Sequence, residues 1–185
     1  MNSVIGHLGG RWEKTEGGIL FPDHRIKVGG VFRGRHIRDG KVIDEFETPN
    51  IVVNQGLDSI LGVYFTGVTQ ITTWYLAPFE GNYTPVATDT ASTIVGNSTE
   101  CTAYTASTRL TWTGVEGSQA ATNSASPATF TFNATKTIYG AFLASASAKS
   151  STSGTLFAAA QFASSKNVVN TDQLLLTYTF TASSV

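Results

Sequence analysis

Acid–base or nucleophilic chemistry in this chain would have to be drawn from few groups. The three histidines, His7, His24 and His36, all precede residue 37, and past residue 50 the carboxylates are Asp58, Glu80, Asp89, Glu100, Glu116 and Asp172. Two carboxylates meeting across a cleft would make a glycosidase, but acids dispersed through predicted turns read first as solvated side chains. Ser and Thr are abundant, 17 and 27. None of the serines sits in a G-x-S-x-G elbow, and a triad would need a histidine from the N-terminal region. There is no H-E-x-x-H, EF-hand or Walker sequence, and Gly6, Gly9 and Gly10 lack the strand-to-helix setting of a phosphate cradle. Cys101 is the sole cysteine, with no Lys or His near it in sequence; it can form neither an intrachain disulfide nor a cysteine zinc site and reads as an inert thiol. The residues therefore predict a non-enzymatic protein with no catalytic group, no cofactor and no metal.

Charge is distributed unevenly. Eight of the twelve Lys and Arg residues lie in the first fifty positions, nearly balanced there by seven acids, and the whole chain of 185 residues carries a formal −1. Without a general basic field, nucleic acid is not the expected partner. No run approaches the eighteen apolar residues of a membrane span, and the start, MNSVIGHLGGRWEK, lacks the pattern of a secretory signal. Synthesis in a cytoplasm and no membrane partner are expected.

The elements read as β with one exception. Residues 1–24 are rich in Gly and predict an arm, which lies on a partner or stays mobile. Residues 25–185 predict a single β domain, opening with a hairpin over 25–48 whose turn is Asp39-Gly40, because glycine supplies the positive φ of a type I′ turn and Asp tolerates it. Ile51-Val52-Val53 suits a buried strand. Asn54 then caps a short helix through Leu61, with Gly62 as its stop. Further strands are expected over 71–79, 100–104, 109–113, 128–133, 138–145, 155–162 and 174–181, and 83–97 as a long loop. Alternation is plain in Leu110 and Trp112, in Phe130 and Phe132, and in Leu176, Tyr178 and Phe180, with Thr on the opposite face. Such strands at regular spacing predict a sandwich or barrel.

Two side-chain groups invite a binding reading. Trp74, Tyr75 and Phe79 would stack sugars if exposed, although a central strand is expected to bury them. Arg33, Arg35 and Arg38 would grip an acidic protein surface if they share one face of the hairpin.

Asn50-Ile-Val-Val-Asn-Gln-Gly-Leu-Asp58, Gln70-Ile-Thr-Thr-Trp-Tyr75, Ala87-Thr-Asp-Thr90, Ala128-Thr-Phe-Thr-Phe-Asn133 and Gly140-Ala-Phe-Leu143 together resemble the head decoration, or capsid cement, proteins of tailed bacteriophages over about residues 25 to 181. The resemblance implies a jelly-roll-like β-sandwich that binds the major capsid protein on the outside of the virion shell and stabilises it. It also implies a homo-oligomer, with a trimer favoured over a dimer. Under this reading the arm and hairpin make the capsid contact through Arg11, Trp12, Arg25, Lys27, Arg33, Arg35 and Arg38. Trp74, Leu76, Phe130, Phe132, Phe142, Leu176 and Phe180 pack the core or a subunit interface. Related β modules of phage tails and head fibres supply the alternative, binding of host-surface carbohydrate.

Overall fold

The computed structural model describes residues 12–14, 20–22 and 26–184. Among them the elements run β1 (Trp12–Lys14), β2 (Leu20–Pro22), β3 (Ile26–Arg38), β4 (Lys41–Pro49), β5 (Ile51–Val52), α1 (Asn54–Phe65), β6 (Trp74–Phe79), α2 (Ala91–Ser98), β7 (Leu110–Trp112), β8 (Val115–Gly117), β9 (Ala120–Thr122), β10 (Ala128–Thr131), β11 (Lys136–Ala144), β12 (Leu156–Val168) and β13 (Gln173–Ser184). β1 and β2 pair only with each other, and the rest of the expected arm lies outside the described residues. The other strands form two antiparallel sheets. One has the order β4-β3-β13-β9-β8, with β10 also on β13; the other has the order β5-β12-β11-β6-β7. The chain is an all-β sandwich.

Local sequence explains the hairpin. Asp39 and Gly40 take φ of 50° and 73°, and β3 and β4 run antiparallel from Arg38↔Lys41 to Val31↔Pro49. On β13 the expected alternation of Leu176, Tyr178 and Phe180 is seen with Leu176 and Tyr178 buried against the second sheet and Phe180 half-buried, while Thr177 and Thr179 turn outward. The inner faces of both sheets share one core that includes Phe32, Leu76, Phe130, Phe132, Leu143, Ala158 and Leu176. Phe46 meets Phe162 at 4.5 Å between ring centroids across the sandwich.

Two glycines seat aromatic rings, one in the inner core and one on the outer face of the second sheet. Gly34 stands directly opposite Phe46, and Gly140 directly opposite Phe79. In each pair the ring lies over the glycine, in the space a Cβ would need. Each pair thus gives a cross-strand aromatic a seat on bare backbone.

The second sheet is buried on both faces, which is why Leu76-Ala-Pro-Phe79 and Leu156-Phe-Ala-Ala-Ala160 are continuous apolar runs. Its outer face carries Ala77, Phe79, Phe142, Ala144 and Ala159, covered by Val53 and by Ala91 and Ile94 of α2. This second helix occupies part of the expected long loop. Its Ala-Ser-Thr-Ile-Val-Gly-Asn-Ser sequence has weak helix propensity, and a capping box between Thr90 and Thr93 together with burial of Ile94 sustains it.

α1 also departs from expectation. Asn54 is its first helical residue, Val53 takes the capping position with no side-chain bond, and the helix passes Gly62 to end at Phe65. Gln55 supplies the polar anchor instead, its Oε1 accepting from the amides of Ala91 at 3.0 Å and Leu156 at 2.8 Å. The expected strand over 100–104 is reduced to single bridges, Phe79↔Glu100 and Tyr104↔Phe132. Here the carbonyls of Thr102 and Tyr104 accept from Lys149 Nζ, both at 2.9 Å, instead of from a neighbouring strand. The β8–β9 hairpin turns on Ser118 and Gln119, at φ 52° and 63°, residues that carry no hairpin signal.

Gly140→Ala would drive a methyl into the Phe79 ring and the Ala160 carbonyl and is expected to cost about 3 kcal/mol. Gly29→Ala, where a Cβ meets nothing within 4 Å, is expected to change stability by no more than about 0.5 kcal/mol. Urea denaturation of the two variants beside the wild type checks both values.

Candidate functional site

The two outer faces of the sandwich differ. The second sheet is covered by helix and loop, whereas the first presents the outward residues of β3, β4 and β13 to solvent. Arg33, Arg35, Glu45 and Glu47 alternate with the buried Phe32, Gly34 and His36 and the half-buried Phe46, and so lie together on this bare face. Arg33 Nε donates to Glu47 Oε2 at 2.7 Å, with both side chains about half exposed. Arg35 is paired in register with Glu45, and among the described residues it makes no salt bridge. Together with Ser124, Leu175 and Thr177 these residues border an open groove of about 300 Å³. The groove sets the Arg35 guanidinium and the Glu45 carboxylate beside the hydroxyls of Ser124 and Thr177 and the apolar Phe46, Pro127 and Leu175.

Arg38 does not join this face. Its Nε and Nη2 donate to Asp172 at 3.0 and 2.7 Å, and Nη2 also reaches the Asn167 carbonyl at 3.1 Å. His36 Nε2 lies 2.7 Å from Asp172 Oδ2, and the Val169 amide donates to the same oxygen. Burial pushes the Asp172 carboxyl up, but the guanidinium, the Val169 amide and the imidazole together outweigh it and hold the carboxyl well below the usual carboxylate range. The His36 and Asp172 side chains are 4% and 1% exposed, so this pair is closed to substrate. It works as a clamp between the end of β3 and the turn before β13.

Three of the acids read as solvated are in fact buried: Asp89, Glu100 and Asp172. Each has found partners far away or within its own loop. Glu100 takes Arg109 Nε at 3.0 Å and Nη2 at 2.6 Å, and Arg109 spends its remaining donors on the carbonyls of Ala146 and Ser151. Asp89 accepts from Tyr83 Oη at 2.9 Å and from the Val86 amide at 2.9 Å. Cys101 is buried, and burial pushes its thiol up. Sequence spacing carries no sign of Asp172–Arg38, because the chain returns through other strands before the partners meet, nor of Glu100–Arg109, which meet within the irregular segment between α2 and β7.

Trp74 and Tyr75 alternate to opposite faces of β6, and Phe79 is wholly buried. The three rings therefore make no common platform. Trp74 turns inward to Phe157, 5.3 Å between centroids, and with Trp112 and Phe180 lines an apolar pocket of about 60 Å³. Leu76, Phe130, Phe132, Phe142 and Leu176 are fully buried, while Trp74 and Phe180 are half-buried at the core's rim. Lys27 is exposed opposite Ser183. Trp12 opens β1, and Arg11 and Arg25 lie outside the described residues. Comparison with family models, curated proteins and solved structures finds no match for this chain.

The depressed Asp172 carboxyl stabilises the fold fully above the ordinary carboxylate pKa of about 4, and this contribution is lost as pH falls through the folded-state pKa. Asp172→Asn is expected to cost about 3 kcal/mol at pH 7 and to flatten the loss of stability below about pH 4. Urea melts at a series of pH values read both effects; wild-type stability at pH 7 in the variant contradicts the clamp.

Proposed function

We propose that this chain is a non-enzymatic structural module of a tailed-bacteriophage virion, which seats on the outside of the assembled capsid shell and stabilises it. The observation that carries the reading is the one-sided covering of the sandwich. The second sheet is enclosed, while the first keeps a bare, charged face with a groove beside Arg35. The major capsid protein is the partner, and the acidic side chains of its outer surface meet Arg33 and Arg35.

Such a contact is modest for one copy. On a symmetric shell the same contact recurs at every equivalent position, and a module bridging two shell subunits gains from the high effective concentration of its second site. Binding only the assembled state stabilises that state by mass action. A rigid β face held by non-local ladders suits this task, because little of the binding energy is spent on ordering the surface. The carbohydrate reading draws no comparable support. The Trp74–Trp112 pocket of about 60 Å³ is several-fold smaller than an ordinary small-molecule site.

With undecorated shells, the purified chain is expected to cosediment saturably at a fixed ratio and to raise the shell melting temperature. Arg35→Glu is expected to weaken binding by about tenfold or more, with the chain's own melting temperature moved by less than about 2 °C. Deletion of residues 1–24 measures the arm's share in the same assay. Absence of the wild-type chain from the shell pellet contradicts the proposal.

A further inference from the structure

α1 is apolar on both sides. Its inward side carries the buried Gly56, set against the Phe157 backbone, and Ile60, packed on the main core. Its outward side carries Leu61, Tyr64 and Phe65 at the i, i+3, i+4 spacing of a single helical stripe, and Val68 follows beyond the helix end. These four are 54%, 81%, 80% and 56% exposed. The amides of Thr66 and Val68 both donate to the Gly62 carbonyl at 3.1 Å, which folds Val68 back over Gly62 and makes the tip one surface.

An apolar stripe on a helix is ordinarily covered by another element. The tip also lacks the charges that keep a surface monomeric: from Asn54 to Phe79 the only ionised side chain is Asp58. Burying the four side chains would remove several hundred Å² from water, a large part of the roughly 800 Å² that each partner contributes to a stable interface.

The same chain offers a receptor for such a tip. The pocket between the sheets is lined by Trp74, Trp112, Phe157 and Phe180 together with Ala121, Leu143 and Tyr178, and holds no ionised side chain. Its volume of about 60 Å³ admits the leading edge of one aromatic ring, and the half-buried rims of Trp74, Trp112 and Phe180 extend the apolar contact. An apolar knob and an apolar socket at different places on one chain are complementary between copies.

We propose that a second copy of this chain covers the tip: Phe65 of one protomer enters the Trp74, Trp112, Phe157 and Phe180 socket of its partner, and Tyr64 packs against the socket's rim. The contact is independent of shell binding, since tip and socket share no residue with the groove beside Arg33 and Arg35. Failure of either proposal therefore leaves the other standing.

Sedimentation velocity on the full-length chain, without shells, from about 1 to 100 µM tests it, a range that brackets a micromolar association. The wild type is expected to form a discrete species heavier than the 19.6 kDa monomer. Phe65→Glu, at an exposed position, is expected to raise the dissociation constant about thirtyfold or more without changing the melting temperature. Ala121→Leu, which fills the socket, is expected to do the same. On dilution the fluorescence of Trp74 and Trp112 should shift to the red as the socket opens to water. A monomer throughout this range overturns the proposal, and so does a Phe65→Glu variant that associates as the wild type does. Dissociation by Phe65→Glu with no effect of Ala121→Leu also overturns it, because the tip would then mate with a different surface.

Discussion

The ladder between β3 and β13 is the interaction on which the rest of the sandwich depends. It runs antiparallel from Gln173↔Ile37 to Ser184↔Ile26 and joins strands at opposite ends of the described chain. β4 hangs from β3, while β9 and β10 hang from β13, so the first sheet exists only once this long-range pairing has formed. A slip of β3 by one residue would turn Phe32 out to solvent and bring Arg33 and Arg35 into the core. Specific contacts fix the register at both ends. At one end Asp172 binds His36 and Arg38. Toward the other, Tyr178 Oη and Asn50 fill the space over Gly30, and Asn50 Nδ2 donates to Tyr178 Oη at 3.3 Å. Closing so long a loop before any reward arrives makes folding slow relative to helical proteins of this size.

Charge in this molecule has two separate uses. In the interior, Glu100–Arg109 and Asp172–Arg38 tie loops and strand ends together, with their spare donors and acceptors satisfied by backbone. Such pairs confer specificity of arrangement more than net stability. On the surface, ionised groups gather on β3 and β4, where they also discourage strand addition at the exposed β4 edge, helped by Pro49. The end bearing α1 is left almost without charge. The molecule thus presents two chemically unlike surfaces, one suited to polar recognition of another protein and one to apolar association.

The sequence foretold those parts that depend on local pattern. The Asp39-Gly40 turn, the alternation of Leu176 and Tyr178, and the all-β sandwich could all be read from the period of apolar residues and from turn chemistry. α2 could not, since its propensity is poor and its support comes from Ile94 packing on a sheet assembled from distant strands. The length of α1 was missed because Gly62 is tolerated inside a helix when neighbouring packing supports it. The buried acids were missed for a related reason: a carboxylate looks solvated until its partner is known, and Arg109 and Arg38 reach theirs only through tertiary structure. The placement of Arg33 and Arg35 on one face followed from strand period alone. The departure of Arg38 from that face depended on Asp172, more than a hundred residues away.

The central claim is that the bare β3–β4–β13 face is the one turned toward a capsid shell. A cryo-electron microscopy reconstruction of undecorated shells saturated with the purified chain tests it most directly. The account predicts added density at symmetry-related positions, oriented with Arg33 and Arg35 against the shell and the layer containing α2 pointing away. Density with the helical layer against the shell, or a shell left bare, would contradict it.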